Sequence, residues 1–139
     1  MLFEREPPKL QRLLVVEDEP LVAFDNEHFL QTHGYTVVET VDTADAAKTL
    51  IEAGGIDLVL LDVRLNDSDG RDVALVAKAD GIPVLFVTAR CPADARDIAA
   101  GCLGKPYQPR DLQLAIEAIT ARLDGRKPGR LPKGLTLYL

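Results

Sequence analysis

Asp57-Leu58-Val59-Leu60-Leu61-Asp62 sets an unbroken aliphatic run between two carboxylates. A run this short and continuous fits a strand buried on both faces in the middle of a parallel sheet; a strand with one wet face would alternate. Toward the N-terminus, Leu13 to Val16 is a second such run, ended by Glu17-Asp18-Glu19-Pro20, with Pro20 suited to the first turn of a helix. Leu21, Phe24, Phe29 and Leu30 then recur at roughly helical spacing until Gly34 stops the run. Tyr35 to Val38 reads as a second strand. Asp42 or Thr43 can cap the helix after it, which carries Ala47, Leu50 and Ile51 and closes at Gly54-Gly55. Toward the C-terminus, the turn Asn66-Asp67-Ser68-Asp69-Gly70 precedes a helix with Val73, Val76 and Ala77, then Gly81 and a strand from Ile82 to Val87. Past Thr88 the pattern weakens. Pro92 to Ala100 allows a helix of about two turns, Cys102-Leu103 a very short strand, and Gln108-Pro109 a start for a last helix through Leu112, Ala115, Ile116, Ile119 and Leu123.

This alternation predicts an α/β fold: a doubly wound, five-stranded parallel sheet with helices on both faces. With 139 residues, 47% of them hydrophobic, the chain has material for one domain and needs no metal or disulfide staple. We divide it into an N-terminal arm (1–11), the domain (12–124) and a basic, Gly/Pro-containing C-terminal tail (125–139). In the tail, Leu135, Leu137 and Leu139 alternate with Thr136 and Tyr138. A tail without fixed structure is the favoured reading, and a strand added to a sheet edge or a partner is the alternative.

The formal charge of −6 is uneven, at about −11 over residues 13–124 and about +4 over 125–139. An acidic body repels nucleic acid, so no nucleic-acid partner is expected. No leader-like segment and no membrane-length apolar run is present, so a cytoplasmic protein without a membrane partner is expected. Cys91 and Cys102 fit neither a zinc site nor a CxxC pair and read as buried or idle thiols. His28 and His33 fall on the first helix, away from the strand ends, where no chemistry is expected of them.

Ligands of open parallel sheets bind beyond the carboxyl ends of the strands. Those ends carry Glu17 and Asp18, Asp62, Thr88 and Lys105. Carboxylates held that close repel by several kcal/mol at an effective dielectric near ~20, so the cluster calls for a cation. Mg2+ suits it: a hard ion that takes one or two carboxylates, keeps waters and shares phosphate oxygens. Such a pocket can admit a phosphoryl group, with Asp62 on the central strand as nucleophile. Lys105 would pair with Asp62 and then with a phosphate oxygen, and the Thr88 hydroxyl would donate to another.

The motifs L-L-V-V-E-D-E, D-L-V-L-L-D with Gly70 downstream, V-L-F-V-T-A and G-K-P-Y make residues 10 to 124 resemble the receiver domain of two-component response regulators. The resemblance implies a flavodoxin-like strand order 2-1-3-4-5. It implies metal ligation by Glu17, Asp18, Asp62 and the backbone carbonyl of Arg64, phosphorylation of Asp62 by a histidine kinase or histidine phosphotransfer protein, and roles for Thr88 and Lys105. It further implies a cis peptide before Pro106. The expected protein is a stand-alone regulator that acts by protein contact, with a homodimer left open, and is a phosphoacceptor that assists its own chemistry rather than an enzyme. Two other readings compete. One is a phosphate-independent scaffold with the same fold. The other is an Asp-nucleophile phosphohydrolase, which Arg64 disfavours by standing where that chemistry needs a second acid.

The resemblance has gaps. Cys102 occupies the place of the family's switch aromatic, and a thiol is too small to repeat its rotation. The stretch from Thr88 to Lys105 is short for the family, which implies a shortened fourth helix. Asn66 stands where proline is common, and Tyr107 is expected to pack rather than to switch. A response read through loop order around Thr88 to Ala100 is the expected substitute.

Overall fold

A computed structural model describes residues 10–139. Of the expected N-terminal arm, residues 1–9 lie outside the described residues. Leu10, by contrast, is buried in the core, and the Gln11 backbone N–H donates to Asp57 Oδ2 at 3.0 Å. The elements in order are β1 (Arg12–Val16), α1 (Pro20–Thr32), β2 (Thr36–Val41), α2 (Ala44–Ala53), β3 (Leu58–Leu61), α3 (Arg71–Ala79), β4 (Val84–Thr88), α4 (Ala95–Ile98), β5 (Gly101–Gly104), α5 (Pro109–Leu123) and β6 (Leu135–Leu137).

The sheet order is β2-β1-β3-β4-β5-β6, with β1 to β5 parallel, so the 2-1-3-4-5 flavodoxin-like order holds and a sixth strand is added. Successive side chains of a strand point to opposite faces, and the core divides accordingly. Leu14, Val16, Val59, Leu61, Val84 and Phe86 meet α2, α3 and α4 on one face. Leu13, Val15, Leu58, Leu60, Leu85 and Val87 meet α1 and α5 on the other. All four residues of β3 are buried, as its unbroken apolar run requires.

The structure departs from the sequence-based expectation in four places. In α1 the stripe facing the sheet is Ala23, Asn26 and Leu30, at i, i+3 and i+7, which turns Leu21 (79% exposed) and Phe24 (65% exposed) to solvent. The buried Asn26 amide is satisfied by donating to Tyr107 Oη at 2.8 Å. Second, α4 is a single turn, because Pro92 delays its start and Ala100 already donates to Val84 O at the entry of β5.

Third, the tail is not left without structure: Leu135–Leu137 pairs antiparallel with Gly101–Leu103. Gly101 permits this approach, since a Cβ there would sit 3.1 Å from Thr136 O. Fourth, the cysteines are not idle thiols. Cys91 and Cys102 form a disulfide across a sequence separation of 11, with Cα atoms 6.2 Å apart, and the folded chain brings together what spacing alone could not.

Candidate functional site

Three of the polar residues at the strand ends are held by a backbone hydrogen bond that prolongs the sheet by one step. Glu17 N–H donates to Val41 O (2.9 Å), Asp62 N–H to Val16 O (3.0 Å) and Lys105 N–H to Thr88 O (2.8 Å). The side chains therefore leave adjacent strands at one level. Glu17, Asp62 and Thr88 are buried, Asp18 is half-buried, and the Lys105 side chain is mostly covered. Asp18, Asp62, Thr88 and Lys105 line a cleft of about 1030 Å³ together with Arg64, Arg71, Arg90 and Cys91, and Glu17 reaches it through its contact with Lys105.

Lys105 Nζ is the hub of the cluster. It donates to Asp62 Oδ2 at 3.0 Å and to Glu19 Oε1 at 3.1 Å, and lies 2.8 Å from Glu17 Oε1. The Glu17 contact is a close ion pair to a buried carboxylate oxygen. Burial pushes the Glu17 carboxyl up to about 7, against the pull of Lys105 and of the Glu19 N–H, which donates to Glu17 Oε2. Burial also works against the charge on Lys105, but its bonds to Glu17, Asp62 and Glu19 outweigh that and raise its pKa. Burial raises the pKa of the Tyr107 phenol too, although Asn26 donates to it.

The loop after β3 is braced from several sides. Arg64 N–H donates to the other Asp62 oxygen, Oδ1, at 3.2 Å, and the Arg64 backbone pairs with that of Asp69 in an isolated antiparallel bridge. The Asp67 carboxylate accepts from Ala44 N–H (2.7 Å) and Asp45 N–H (3.2 Å), tying this loop to the N-terminus of α2; these bonds lower its pKa. The peptide between Lys105, which lines the cleft, and Pro106 is cis.

The structure thus brings Glu17, Asp18, Asp62, Thr88 and Lys105 to one edge of the sheet, with Arg64 on the cleft wall. Sequence reasoning left Glu19 out of the site; a third acid in the E-D-E run was the available signal, but its direction depends on how α1 starts. One ligand oxygen from each of Glu17, Asp18, Glu19 and Asp62 falls within 4.8 Å of the others. With Lys105 as counter-charge, four carboxylates leave a formal excess of −3. This donor set of hard oxygens fits a divalent cation.

The raised Glu17 pKa has a definite sign for stability. Between its ordinary value of 4.5 and about 7 the folded state holds a proton that the unfolded state has released, so stability falls as pH rises through that window. In chelator, Glu17→Gln should therefore gain stability relative to wild type from the low end of the window to the high end, followed by thermal melts. A difference independent of pH would refute the assignment.

Residues 13–117 match the response regulator receiver domain, and the chain belongs to that family. Among curated relatives, the transcriptional regulatory protein PdtaR of Mycobacterium tuberculosis is 35% identical over 118 residues, covering 81% of this chain and 58% of its own length. The phyllosphere-induced regulator PhyR of Methylorubrum extorquens is 34% identical over 110 residues, covering 75% of this chain and 41% of its own. The chain spans about half the length of the curated relatives it matches. Among solved structures, a CheY-like receiver domain from Methanospirillum hungatei superposes with a TM-score of 0.75 at 26% identity, over 84% of this chain and 98% of that one. The receiver domain of sensor histidine kinase PA1611 from Pseudomonas aeruginosa, solved with magnesium in its active-site cleft, gives 0.70 at 26% identity, over 79% and 97%. Among the described residues, no helix is long and apolar enough to cross a membrane.

Proposed function

We propose that this domain takes a phosphoryl group onto Asp62 from a phosphohistidine of a histidine kinase or histidine phosphotransfer protein. The observation that carries this reading is the buried Asp62 carboxylate at the floor of an open cleft, paired at 3.0 Å with Lys105. One Asp62 oxygen attacks phosphorus, the P–N bond to the donor breaks, and the imidazole keeps the electron pair and takes a proton. Lys105 neutralises Asp62 beforehand and charge on the transferred group afterwards, and the Thr88 hydroxyl donates to a second phosphoryl oxygen. Glu17, Asp18, Asp62 and the carbonyl of Arg64 would hold Mg2+, which supplies charge neutralisation at the transferring phosphoryl oxygens.

In this reading the domain is a phosphoacceptor that assists its own modification and turns over no independent substrate. It works in the cytoplasm and signals by protein contact. Its acidic surface disfavours nucleic acid as a direct partner of the domain itself, whatever further segments its longer relatives carry. Acetyl phosphate with Mg2+ should add one phosphoryl group to the wild-type chain by intact mass, and none to Asp62→Ala. An unmodified wild type that also fails to respond to beryllofluoride would favour the phosphate-independent scaffold.

A further inference from the structure

Both flanks of the acceptor site end in a sulfur. Cys91 lies three residues after Thr88, and Cys102 three residues before Lys105. Their disulfide therefore ties together the two chain segments that carry the hydroxyl and the ammonium. Cys102 is fully buried on β5, in register beside Phe86, whereas Cys91 is partly exposed and lines the cleft that contains Asp62. Besides the disulfide, the loop between Thr88 and α4 is held by a turn in which Ala95 N–H donates to Pro92 O at 3.1 Å, and by Arg71, which reaches Asp94 at 3.5 Å on an exposed surface. Thr88 is held in β4 by its pairing with Gly104, so the bridge at Cys91 fixes the far end of the short segment, Ala89 and Arg90, that leaves the sheet along the cleft.

We propose that the Cys91–Cys102 pair is a reversible thiol modification site that decides whether the loop after Thr88 can respond to phosphorylation of Asp62. This rests on the acceptor reading above. A domain of this size does not need a staple, and in a reducing cytoplasm the disulfides that persist are mostly catalytic or redox-sensing. The reductant is a dithiol protein. Its thiolate attacks Cys91 Sγ, the accessible sulfur, and Cys102 leaves with the electron pair and takes a proton. The second thiol of the reductant then attacks the mixed disulfide, releasing Cys91 as a thiol and leaving the reductant as a disulfide. Hydrogen peroxide runs the reverse. Cys91 thiolate becomes a sulfenic acid with loss of hydroxide, Cys102 thiol displaces it as water, and two thiols plus peroxide give one disulfide and two waters. The oxidised form holds the loop still, and the reduced form lets it reorder on phosphorylation.

Amide exchange over residues 89–99 of the full chain tests this, with and without beryllofluoride and Mg2+, in the oxidised form and after reduction by a phosphine. Phosphorylation by acetyl phosphate is followed in parallel by intact mass. The expected result is a several-fold change in protection on beryllofluoride binding in the reduced form and little change in the oxidised form. Cys91→Ser, altered at the partly exposed partner, should behave as the reduced form whether or not reductant is present. Equal loop responses in both redox forms, with phosphorylation intact, would overturn the switch and leave the acceptor reading standing. Reduction that unfolds the domain would also overturn it, since the bridge would then be a staple. Absence of phosphoryl and beryllofluoride effects in both forms would overturn both readings together.

Discussion

Gly70→Ala is expected to cost about 3 kcal/mol or more of stability, and to remove phosphoacceptance along with it. A methyl group at this position would lie 2.2 Å from the carbonyl oxygen of Asp62 and 3.1 Å from Val63 Cα, both backbone atoms that cannot swing away. Gly70 has φ −62° and ψ −17°, a conformation open to any residue, and it leads directly into α3. On propensity alone alanine would be worth up to about 1 kcal/mol here, so the close approach and the propensity predict opposite signs. The clash outweighs the propensity, because Gly70 N–H also donates to Val63 O at 2.6 Å and pins the two strands of this turn together. The segment that must yield is the one carrying Asp62. Urea denaturation gives the measurement, and a change below about 1 kcal/mol would show that the loop repacks freely.

Lys105→Met should destabilise the metal-free domain by about 3 kcal/mol at a pH above 7, the low end of the range for breaking a buried ion pair, since the lysine side chain keeps some contact with solvent. The loss falls on Glu17 and Asp62, which are buried; Glu19 is exposed and regains water when its partner goes. Because the penalty belongs to charged carboxylates, it should shrink as pH falls and Glu17 takes up its proton. Methionine keeps most of the stem's apolar bulk, so a loss that stays constant with pH would point to packing instead. Added Mg2+ should recover part of the deficit if the carboxylates are its ligands.

The residues that proved legible in the sequence are those whose position follows from local rules. A strand buried on both faces announces itself by an unbroken apolar run, and the polar residue that ends it is thereby placed at the sheet edge. Glu17, Asp62 and Thr88 were readable in this way; Lys105 follows only the very short Cys102-Leu103 run and rested on the G-K-P-Y motif, while the start of α5 was announced by Gln108 and Pro109. What was hidden depended on rotation or distance. The apolar spacing of α1 did not reveal that Ala23, Asn26 and Leu30 would face the sheet, because Leu21 and Phe24 are larger and dominate the pattern. The Cys91–Cys102 bridge spans a single-turn helix, and β6 finds its partner only after a Gly/Pro-containing run, so neither is fixed by neighbours in sequence. Glu19, the extended residue just before α1, is placed by how that helix starts.

The antiparallel strand β6 has a consequence for the company the sheet can keep. An uncovered edge strand offers a row of unpaired amides and carbonyls on which a foreign strand can template. Here β5 is shielded on that side, down to Gly104, whose N–H donates to Gly134 O next to the site lysine. The rim that replaces it is three residues long, flanked by Gly134 and crossed in opposite polarity to the rest of the sheet. Short, reversed rims are poor templates, so recruitment of another chain by strand pairing at this end of the sheet is discouraged, and contacts through helices and loops are favoured.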